Sequence, residues 1–284
     1  MKVLHVINSL ATGGAEKLIL DSLPIFNNKL KTNLFLLDAK NTPFLKQLKS
    51  NKKIVVYPSF KVSIYNPLHI IKLIKLLRNY DIVHVHLFPA QYWVAVAKLL
   101  SFSRVKLVFT EHCTTNSRMD NFFLRKINKF IYLFYDRTVC ITNEIYNIYS
   151  SYTGLKDERL PVIENGVNLE MIEKATAIER KSITSELKID DKLIIQVSAF
   201  REQKDQLTLI RAMALLPDYT KLLLVGEGVM LPFCERLTKE LKLEKRVFFL
   251  GIRTDVPNLL KSSDIIVLSS HYDWAHKLIK KGKK

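Results

Sequence analysis

The chain has 284 residues, of which 48% are hydrophobic and 25% are charged, and its formal net charge is +17. This composition excludes a disordered chain and gives enough residues for two domains of ordinary size. A basic surface favours anionic partners such as phosphates, acidic lipid head groups or nucleic acid, although a solvated lysine-rich surface gives the same charge.

Short β-branched segments alternate with amphipathic stretches in the first part of the chain. The predicted strands are Val3–Asn8, Asn33–Asp38, Ile54–Pro58, Ile82–His86, Leu107–Glu111, Thr138–Thr142 and Pro161–Glu164. The predicted helices are Glu16–Phe26, Pro67–Arg78, Pro89–Leu100 and Asn121–Tyr135. This alternation indicates a parallel sheet with helices on both faces.

The same rhythm restarts after a charged, weakly periodic segment, Asn168–Asp191, which we interpret as the junction between two domains, 1–168 and 169–284. The predicted strands here are Leu193–Phe200, Lys221–Gly226, Val247–Gly251 and Ile265–Ser269. The predicted helices are Lys204–Leu216, Leu231–Leu241 and Val256–Ser262. Four strands are few for a domain like the first, so we expect the second domain to be incomplete.

Cysteine content and hydropathy indicate the compartment. Cys113, Cys140 and Cys234 are too few and too far apart for a disulfide or zinc framework, which favours a reducing environment such as the cytoplasm. Polar residues interrupt the N-terminal apolar run from Asn8 onward, so we expect no signal peptide. Since no apolar run approaches about 18 residues, any membrane contact is expected to be peripheral.

Candidate ligand-binding residues follow the predicted strands of the first domain. Gly13 and Gly14 open the first helix, where backbone amides can approach an anion, although a plain tight turn has the same pattern. His84 and His86 are two apart on one strand and so face the same way, and His112 ends the next strand. These imidazoles could converge at the carboxyl edge of the sheet, in a binding site, a structural cluster or a metal site.

Cations and glycines follow the strands of the second domain. Arg201 and Lys204 lie between a strand end and a helix start, where they could stabilise a diphosphate leaving group or simply be solvated. Two glycine-containing loops, 226–228 and 251–255, follow the next two strands. Because carboxyl ends of parallel strands share one edge, these loops can build a single site.

The predicted helix Asn121–Tyr135 combines aromatic and basic side chains. Its aromatic residues include Phe122, Phe123, Phe130, Tyr132 and Phe134, and its basic residues include Arg125, Lys126 and Lys129. This combination fits either an anionic membrane interface or a helix packed on the core with a wet basic face.

Taken in order along about 270 residues, eight short motifs resemble those of glycosyltransferase family 4, a retaining GT-B family. The motifs are Gly13–Glu16, Asp81–His86, Thr110–His112, Glu164–Asn168, Gln203–Lys204, Val225–Gly228, Val247–Gly251 with Asp255, and Ser269–Ser270. The resemblance implies an α/β fold of two Rossmann-like parallel-sheet domains facing a cleft. It also implies a nucleotide diphosphate sugar as donor, a surface-polysaccharide or lipid-linked acceptor, and no metal cofactor.

The resemblance also implies roles for single residues. His112 corresponds to the catalytic-site histidine near the sugar, and His84 and His86 lie on the acceptor side. The donor-binding residues implied are Gly13, Gly14, Arg201, Lys204, Glu227, Gly251, Arg253 and Asp273.

Two positions depart from the family. Ala199 stands where the family has an arginine, which Arg201 could replace, and Lys281 stands where the second acidic residue of the C-terminal motif is expected. The tail Trp274–Lys284 matches nothing in the family and reads as a frameshift or early stop. We therefore expect this chain to transfer sugar poorly or not at all.

Three other functions remain compatible with the sequence. A non-catalytic remnant or acceptor-binding module would keep the first domain and lose donor turnover. An epimerase with the same fold would release free nucleotide without an acceptor. A nucleic-acid binder rests on charge alone and would bind with steep salt dependence, and we expect no nucleic-acid partner.

Overall fold

A computed structural model describes residues 1–113, 119 and 121–271. Internal contacts divide the chain into a first unit, Met1–Gly166, and a second unit that begins at Val167. Each unit is an α/β sandwich built on its own parallel sheet. None of the helices in the described part of the chain has the length and apolar character that crossing a bilayer requires.

The first unit contains a six-stranded parallel sheet with the order β3-β2-β1-β4-β5-β6. Its strands are β1 (Lys2–Ile7), β2 (Lys31–Leu36), β3 (Val56–Pro58), β4 (Ile82–His86), β5 (Lys106–Glu111) and β6 (Arg137–Cys140). Its helices are α1 (Gly14–Asn27), α2 (Pro43–Lys49), α3 (His69–Leu77), α4 (Ala90–Ser101), α5 (Phe122–Tyr132) and α6 (Asn143–Thr153).

The second unit contains a four-stranded parallel sheet with the order β10-β7-β8-β9. Its strands are β7 (Lys192–Val197), β8 (Thr220–Val225), β9 (Val247–Gly251) and β10 (Ile265–Ile266). Its helices are α7 (Leu169–Glu173), α8 (Arg180–Ile183), α9 (Gln206–Met213), α10 (Leu231–Glu240) and α11 (Val256–Ser262).

Both sheets bury apolar side chains on their two faces. In β8, Leu222 and Leu224 pack in one core cluster of the second unit, whereas Leu223 and Val225 pack in the other. Continuous apolar runs are typical of parallel strands covered by helices on both sides. The run Leu222–Val225 in β8 therefore predicts a buried parallel strand better than an alternating pattern would.

The structure differs from the sequence-based elements at several ends. The predicted strand Pro161–Glu164 is reduced to an isolated parallel bridge between Cys140 and Val162, because β6 ends at Cys140 and leaves it no longer partner. The predicted strand Ile265–Ser269 pairs with β7 over two residues only. Beyond them the Ser269 hydroxyl contacts the Gln196 side chain of β7 and the Lys204 carbonyl in the loop before α9.

Two helices of the first unit are absent from the sequence-based prediction. Helix α2 has only seven residues, and its start depends on the side chain of Thr42, which accepts a hydrogen bond from the Leu45 amide. Helix α6 is rich in tyrosine and asparagine, and its buried residues Ile145, Tyr149 and Tyr152 recur at helical spacing. It begins at the Thr142 cap and ends at Gly154, which has a φ of 69°. Such capping residues locate helix ends that apolar periodicity misses.

An aspartate precedes three of the strands and contacts the first residues of the neighbouring strand. Asp81 precedes β4, Asp136 precedes β6 and Asp264 precedes β10. The backbone N–H and the carboxylate of Asp136 bond the carbonyl and the N–H of Leu107, at 2.8 and 2.9 Å. Asp81 makes the same pair of bonds with Lys2, and Asp264 with Leu193. We call these contacts the aspartate clamps.

Candidate active site

A pocket of about 240 Å³ opens at the carboxyl ends of β4 and β5 in the first unit. Its lining residues are Asn8, Leu87, Phe88, Phe109, Thr110, Glu111, His112 and Cys113. Asn8 connects two parts of this pocket, because its side-chain amide donates to the Phe88 carbonyl at 2.7 Å and its oxygen accepts from the Ala90 amide at 3.3 Å. The pocket lies where open parallel sheets bind ligands.

Glu111 anchors the loop that carries His112. Its carboxylate is buried and accepts hydrogen bonds from the Tyr132 hydroxyl at 2.6 Å and from the Cys113 amide at 3.3 Å. Burial, followed by the charge of Glu111, raises the pKa of Tyr132 well above its usual value, so this phenol stays a donor. Glu111 therefore connects α5 to the pocket. The motif Thr110–His112 did not reveal this contact.

The structure brings the three predicted histidines together and adds a fourth. His5 on β1 is the register partner of His84 on β4, so their side chains lie on the same face of the sheet as His86. The Nδ1 atom of His5 lies 3.3 Å from Nε2 of His86, and Nδ1 of His86 lies 3.3 Å from Nε2 of His112. Sequence reasoning missed His5, although aligning β1 with β4 would have placed it there.

Burial keeps these imidazoles neutral. It lowers the pKa of His5 and of His112 from 6.5 to about 4. Burial, together with the neighbouring histidines, also lowers the pKa values of His84 and His86 well below the usual range. The cost of desolvating a charged ring is the main physical cause.

One candidate ligand atom from each of His5, His84 and His86 lies within 4.8 Å of the others. Neutral imidazoles suit a Zn²⁺-like ion, and a second nitrogen bonded elsewhere, as Nε2 of His84 is to the Thr110 hydroxyl at 2.7 Å, is typical of metal ligands. A metal held by Nδ1 of His5 and Nε2 of His86 would, however, replace the contact that these atoms make with each other.

The glycine pair lies at the start of α1. Gly13 is its N-cap with extended backbone, and an added Cβ there would meet only the flexible Glu16 carboxylate, at 2.2 Å. At Gly14 an added Cβ has nothing within 4 Å. Space for a side chain therefore exists at Gly14, whereas at Gly13 it exists only after the Glu16 side chain moves. An anion at this helix end would also have to displace the Glu16 carboxylate.

The second unit brings three predicted loops to one edge of its sheet. The Phe200 amide donates to the Glu227 carbonyl at 2.9 Å, and the Gly226 amide donates to the Gly251 carbonyl at 2.9 Å. These backbone bonds join the loops after β7, β8 and β9 directly. Arg201, Lys204, Glu227 and Gly251 therefore belong to one continuous surface, as their places after parallel strands predict.

Polar side chains hold the Lys204 loop, and two of them, Gln196 and Gln206, were missed by the sequence analysis. The Lys204 carbonyl accepts hydrogen bonds from the Gln196 amide and from the Ser269 hydroxyl, both at 2.9 Å. The Gln206 amide donates to the Ser198 hydroxyl and the Ala199 carbonyl, both at 3.0 Å. Arg201 is exposed and Lys204 half-buried, so the loop presents both cations from a fixed backbone.

Arg253 is already paired within its own loop. Its guanidinium forms two bonds with the Asp255 carboxylate, at 2.8 and 2.6 Å, and this contact raises its pKa. Gly251 has a φ of 61° and open space around it. The remaining predicted donor residue, Asp273, and the tail after it lie outside the described residues.

Comparison with known proteins shows which families and relatives this chain is similar to. Residues 34–171 match the family description Glycosyltransferase Family 4, and residues 178–276 match Glycosyl transferases group 1. The chain is 28% identical to N-acetylgalactosamine-N,N'-diacetylbacillosaminyl-diphospho-undecaprenol 4-alpha-N-acetylgalactosaminyltransferase of Campylobacter jejuni, over 94% of this chain and 74% of that protein. It is 25% identical to UDP-Gal:alpha-D-GlcNAc-diphosphoundecaprenol alpha-1,3-galactosyltransferase of Escherichia coli, over 96% and 74%.

Solved structures show the same fold. A crystal structure of Anabaena Alr3699/HepE with UDP and glucose matches with a TM-score of 0.78 at 21% identity, over 95% of this chain and 74% of that one. These likenesses define a GT-B glycosyltransferase fold. The chain belongs to glycosyltransferase family 4, which confirms the resemblance read from its motifs.

Proposed function

We propose that this protein is a retaining glycosyltransferase that moves a sugar from a nucleotide diphosphate sugar to a lipid-linked or surface-polysaccharide acceptor. The joined loops of the second unit, which present Arg201 and Lys204 from one backbone-bonded surface, carry this proposal. The names of the two bacterial relatives, which act on diphospho-undecaprenol substrates, support the acceptor class.

In the proposed reaction, the bond between the anomeric carbon and the diphosphate oxygen breaks, and the acceptor oxygen forms its new bond to that carbon on the same face. The acceptor hydroxyl gives its proton to the leaving diphosphate oxygen. Negative charge grows on the diphosphate, and Arg201 and Lys204 stabilise it without a metal ion. Preorganised cations that meet a developing charge lower the barrier because they need no reorganisation. His112 contacts the transferred sugar. Gly251 and its neighbours hold the base through backbone groups.

The test is a turnover assay of the purified chain, in which we expect a low rate because Lys281 stands where the family has its second acidic residue. Uridine diphosphate sugars, including galactose, glucose and N-acetylhexosamine forms, are each incubated with acceptors that carry a sugar on a polyprenyl diphosphate. NMR of the product should show the same anomeric configuration as in the donor. An inverted linkage would rule out the retaining reaction, and free nucleotide with an epimerised sugar would identify an epimerase. Nucleotide binding without transfer would favour the non-catalytic reading.

Replacing His112 with alanine is expected to lower kcat by about 10²-fold, because a sugar held loosely at the reacting carbon loses its attack geometry. His112→Gln keeps a polar end and should retain part of the rate. Steady-state kinetics with the best donor of the panel measures both variants. Unchanged turnover in His112→Ala would remove this residue from the mechanism.

We also propose that α5 contacts an anionic membrane surface. One face of α5 packs on the core, but five of its large apolar side chains are exposed on the other. These side chains are Phe122, Phe123, Leu124, Ile127 and Phe130, exposed by 43–75%. The buried face contains Ile131, Tyr132 and the polar Asn128, whose side chain bonds Tyr92 and Tyr152. Lys126 lies 4.4 Å above the Phe122 ring, so basic and aromatic groups share the outer face.

The double variant Phe122→Ser, Phe123→Ser is expected to bind vesicles at least about tenfold more weakly. Removing two phenyl rings from the lipid interface weakens the free energy of membrane binding by more than about 1.4 kcal/mol, which corresponds to a factor of ten in affinity. Co-sedimentation with phosphatidylglycerol vesicles measures the effect. The matched control is Phe102→Ser, since Phe102 is 90% exposed but lies after α4. Equal binding of the double variant and the control, or binding indifferent to anionic lipid, would contradict an interfacial α5.

A further inference from the structure

Both ring nitrogens of His86 contact other histidines. Nε2 faces Nδ1 of His5 on the core side, and Nδ1 faces Nε2 of His112 on the pocket side, each at 3.3 Å. His5 and His86 are only 2% exposed, whereas His112 is half-buried at the pocket. The three side chains therefore form a continuous row from the interior of the first unit to its ligand-binding edge. We call it the histidine row.

The two hydrogen bonds along this row must run in the same direction. A neutral imidazole has one N–H donor and one acceptor nitrogen. If His86 donates from Nδ1 to His112, its Nε2 must accept from His5. If His86 accepts at Nδ1, its Nε2 must donate to His5. The tautomers of the three rings are therefore coupled, and the tautomer of His112 depends on two residues that lie behind it.

We propose that His86 is a positioning residue for His112, and that His5 fixes the tautomer that His86 transmits. Since Nε2 of His112 points to His86, its other hydrogen-bonding atom is Nδ1. The tautomer decides whether Nδ1 offers a proton or a lone pair to a sugar hydroxyl. This inference uses the proposed function only for its consequence on turnover, because the coupling itself exists without substrate.

His84 does not belong to the row, although its ring lies closest to His86, with the ring centroids 4.3 Å apart. Its Nε2 is 2.7 Å from the Thr110 hydroxyl, so its orientation is set by β5 rather than by His112. A contact between two rings without a hydrogen bond transmits no tautomer. The Thr110→Val variant, which removes the partner of His84 and leaves the row intact, is therefore the matched control.

The first measurement uses the unmodified chain with ¹⁵N-labelled histidine. Nitrogen NMR should show one dominant tautomer for His112, and a coupling across the hydrogen bond between Nε2 of His112 and Nδ1 of His86. Because no substitution is involved, misfolding cannot account for the result. Equal populations of both His112 tautomers, with no coupling to His86, would overturn the proposal.

The second measurement uses two amide replacements of His86. Asparagine places its amide about where Nδ1 of His86 lies, and glutamine places its amide about where Nε2 lies. His86→Asn can still bond His112, whereas His86→Gln can still bond only His5. We expect His112 to keep one bonded species in His86→Asn and to average between both tautomers in His86→Gln. An unchanged His112 signal in folded His86→Gln would overturn the proposal.

The third measurement tests the far end of the row. His5→Phe keeps a ring of similar shape beside Phe26, on which His5 stacks at 6.1 Å, but removes both nitrogens. The populations of the His112 tautomers should change although His5 does not touch His112, whereas Thr110→Val should leave them unchanged. An effect of Thr110→Val equal to that of His5→Phe would mean general loosening and would overturn the proposal. Stoichiometric zinc bound through His5 and His86 would also overturn it, because the metal would replace their hydrogen bond.

Turnover provides the functional readout. We expect kcat to fall about tenfold in His86→Gln, with partial rescue in His86→Asn and little change in KM for the donor, since positioning acts on reaction geometry more than on binding. If the tautomers respond as expected but no donor is turned over by the unmodified chain, the proposed function fails and the positioning role stands. If turnover is normal in His86→Gln, the positioning role fails and the proposed function stands.

Discussion

Replacing Gly226 with alanine is expected to destabilise the second unit by about 3–5 kcal/mol, a large part of the 5–15 kcal/mol that typically holds a protein folded. Gly226 has a φ of 136°, which side-chain-bearing residues rarely adopt, and an added Cβ would lie 2.2 Å from the Ser198 carbonyl oxygen. Relief of this overlap requires the loops after β7 and β8 to separate. That movement breaks the bonds from Ser198 to Val225 and from Gly226 to Gly251.

Denaturant unfolding and hydrogen exchange measure this prediction. Amides of β7, β8 and β9 should lose protection in Gly226→Ala, whereas those of β1 and β4 should keep it. The matched control is Gly251→Ala. Its φ is also positive, at 61°, but an added Cβ has nothing within 4 Å, so only a conformational cost of about 1–2 kcal/mol is expected. Equal destabilisation by both variants would show that the close approach to Ser198 carries no energy.

Lys204→Ala is expected to lower kcat/KM for the nucleotide sugar by about 10²–10³-fold, the usual effect of removing one group that stabilises developing charge. The backbone of this loop should survive the change. The Lys204 carbonyl is held by the side chains of Gln196 and Ser269, and neither bond uses the ammonium group. The expected loss therefore reports on the missing charge at the diphosphate rather than on a collapsed loop.

Steady-state kinetics and nucleotide titration test the role of Lys204. Lys204→Arg, which keeps the charge with a different shape, should recover part of the rate. Lys239→Ala removes an exposed lysine of α10 and serves as the control for net charge. A loss in Lys204→Ala no larger than the loss in Lys239→Ala would mean that this cation does not meet the diphosphate.

The sequence predicts much of the fold because each parallel strand is a short apolar run with its own helix after it. It also predicts that Lys204, Glu227 and Gly251 share one surface, because parallel strands bring their carboxyl ends to one edge. These inferences need only the order of the elements. The sequence-based prediction omits helices α2 and α6, because capping residues rather than an apolar period define their ends.

Contacts that depend on register or on side-chain direction are harder to read from one sequence. His5 joins the histidine row only because β1 pairs with β4 in a register that sets it beside His84. Gln196 lies inside a buried strand, and its amide reaches the loop eight residues later. Polar residues at buried strand positions were the available signal. They show that a partner is needed, but not which partner supplies the bond.

The aspartate clamps lie at the amino ends of their strands, opposite the carboxyl ends that carry the pocket and the loops. In the second unit the Leu193 amide, with Lys192 and Arg180, lowers the pKa of Asp264, so its clamp keeps its charge at neutral pH. Strand alignment is thus secured at the amino ends of each sheet, and the proposed ligand-binding loops lie at the carboxyl ends. Substitutions in the loops at the carboxyl ends should therefore leave the strand-aligning contacts at the amino ends in place.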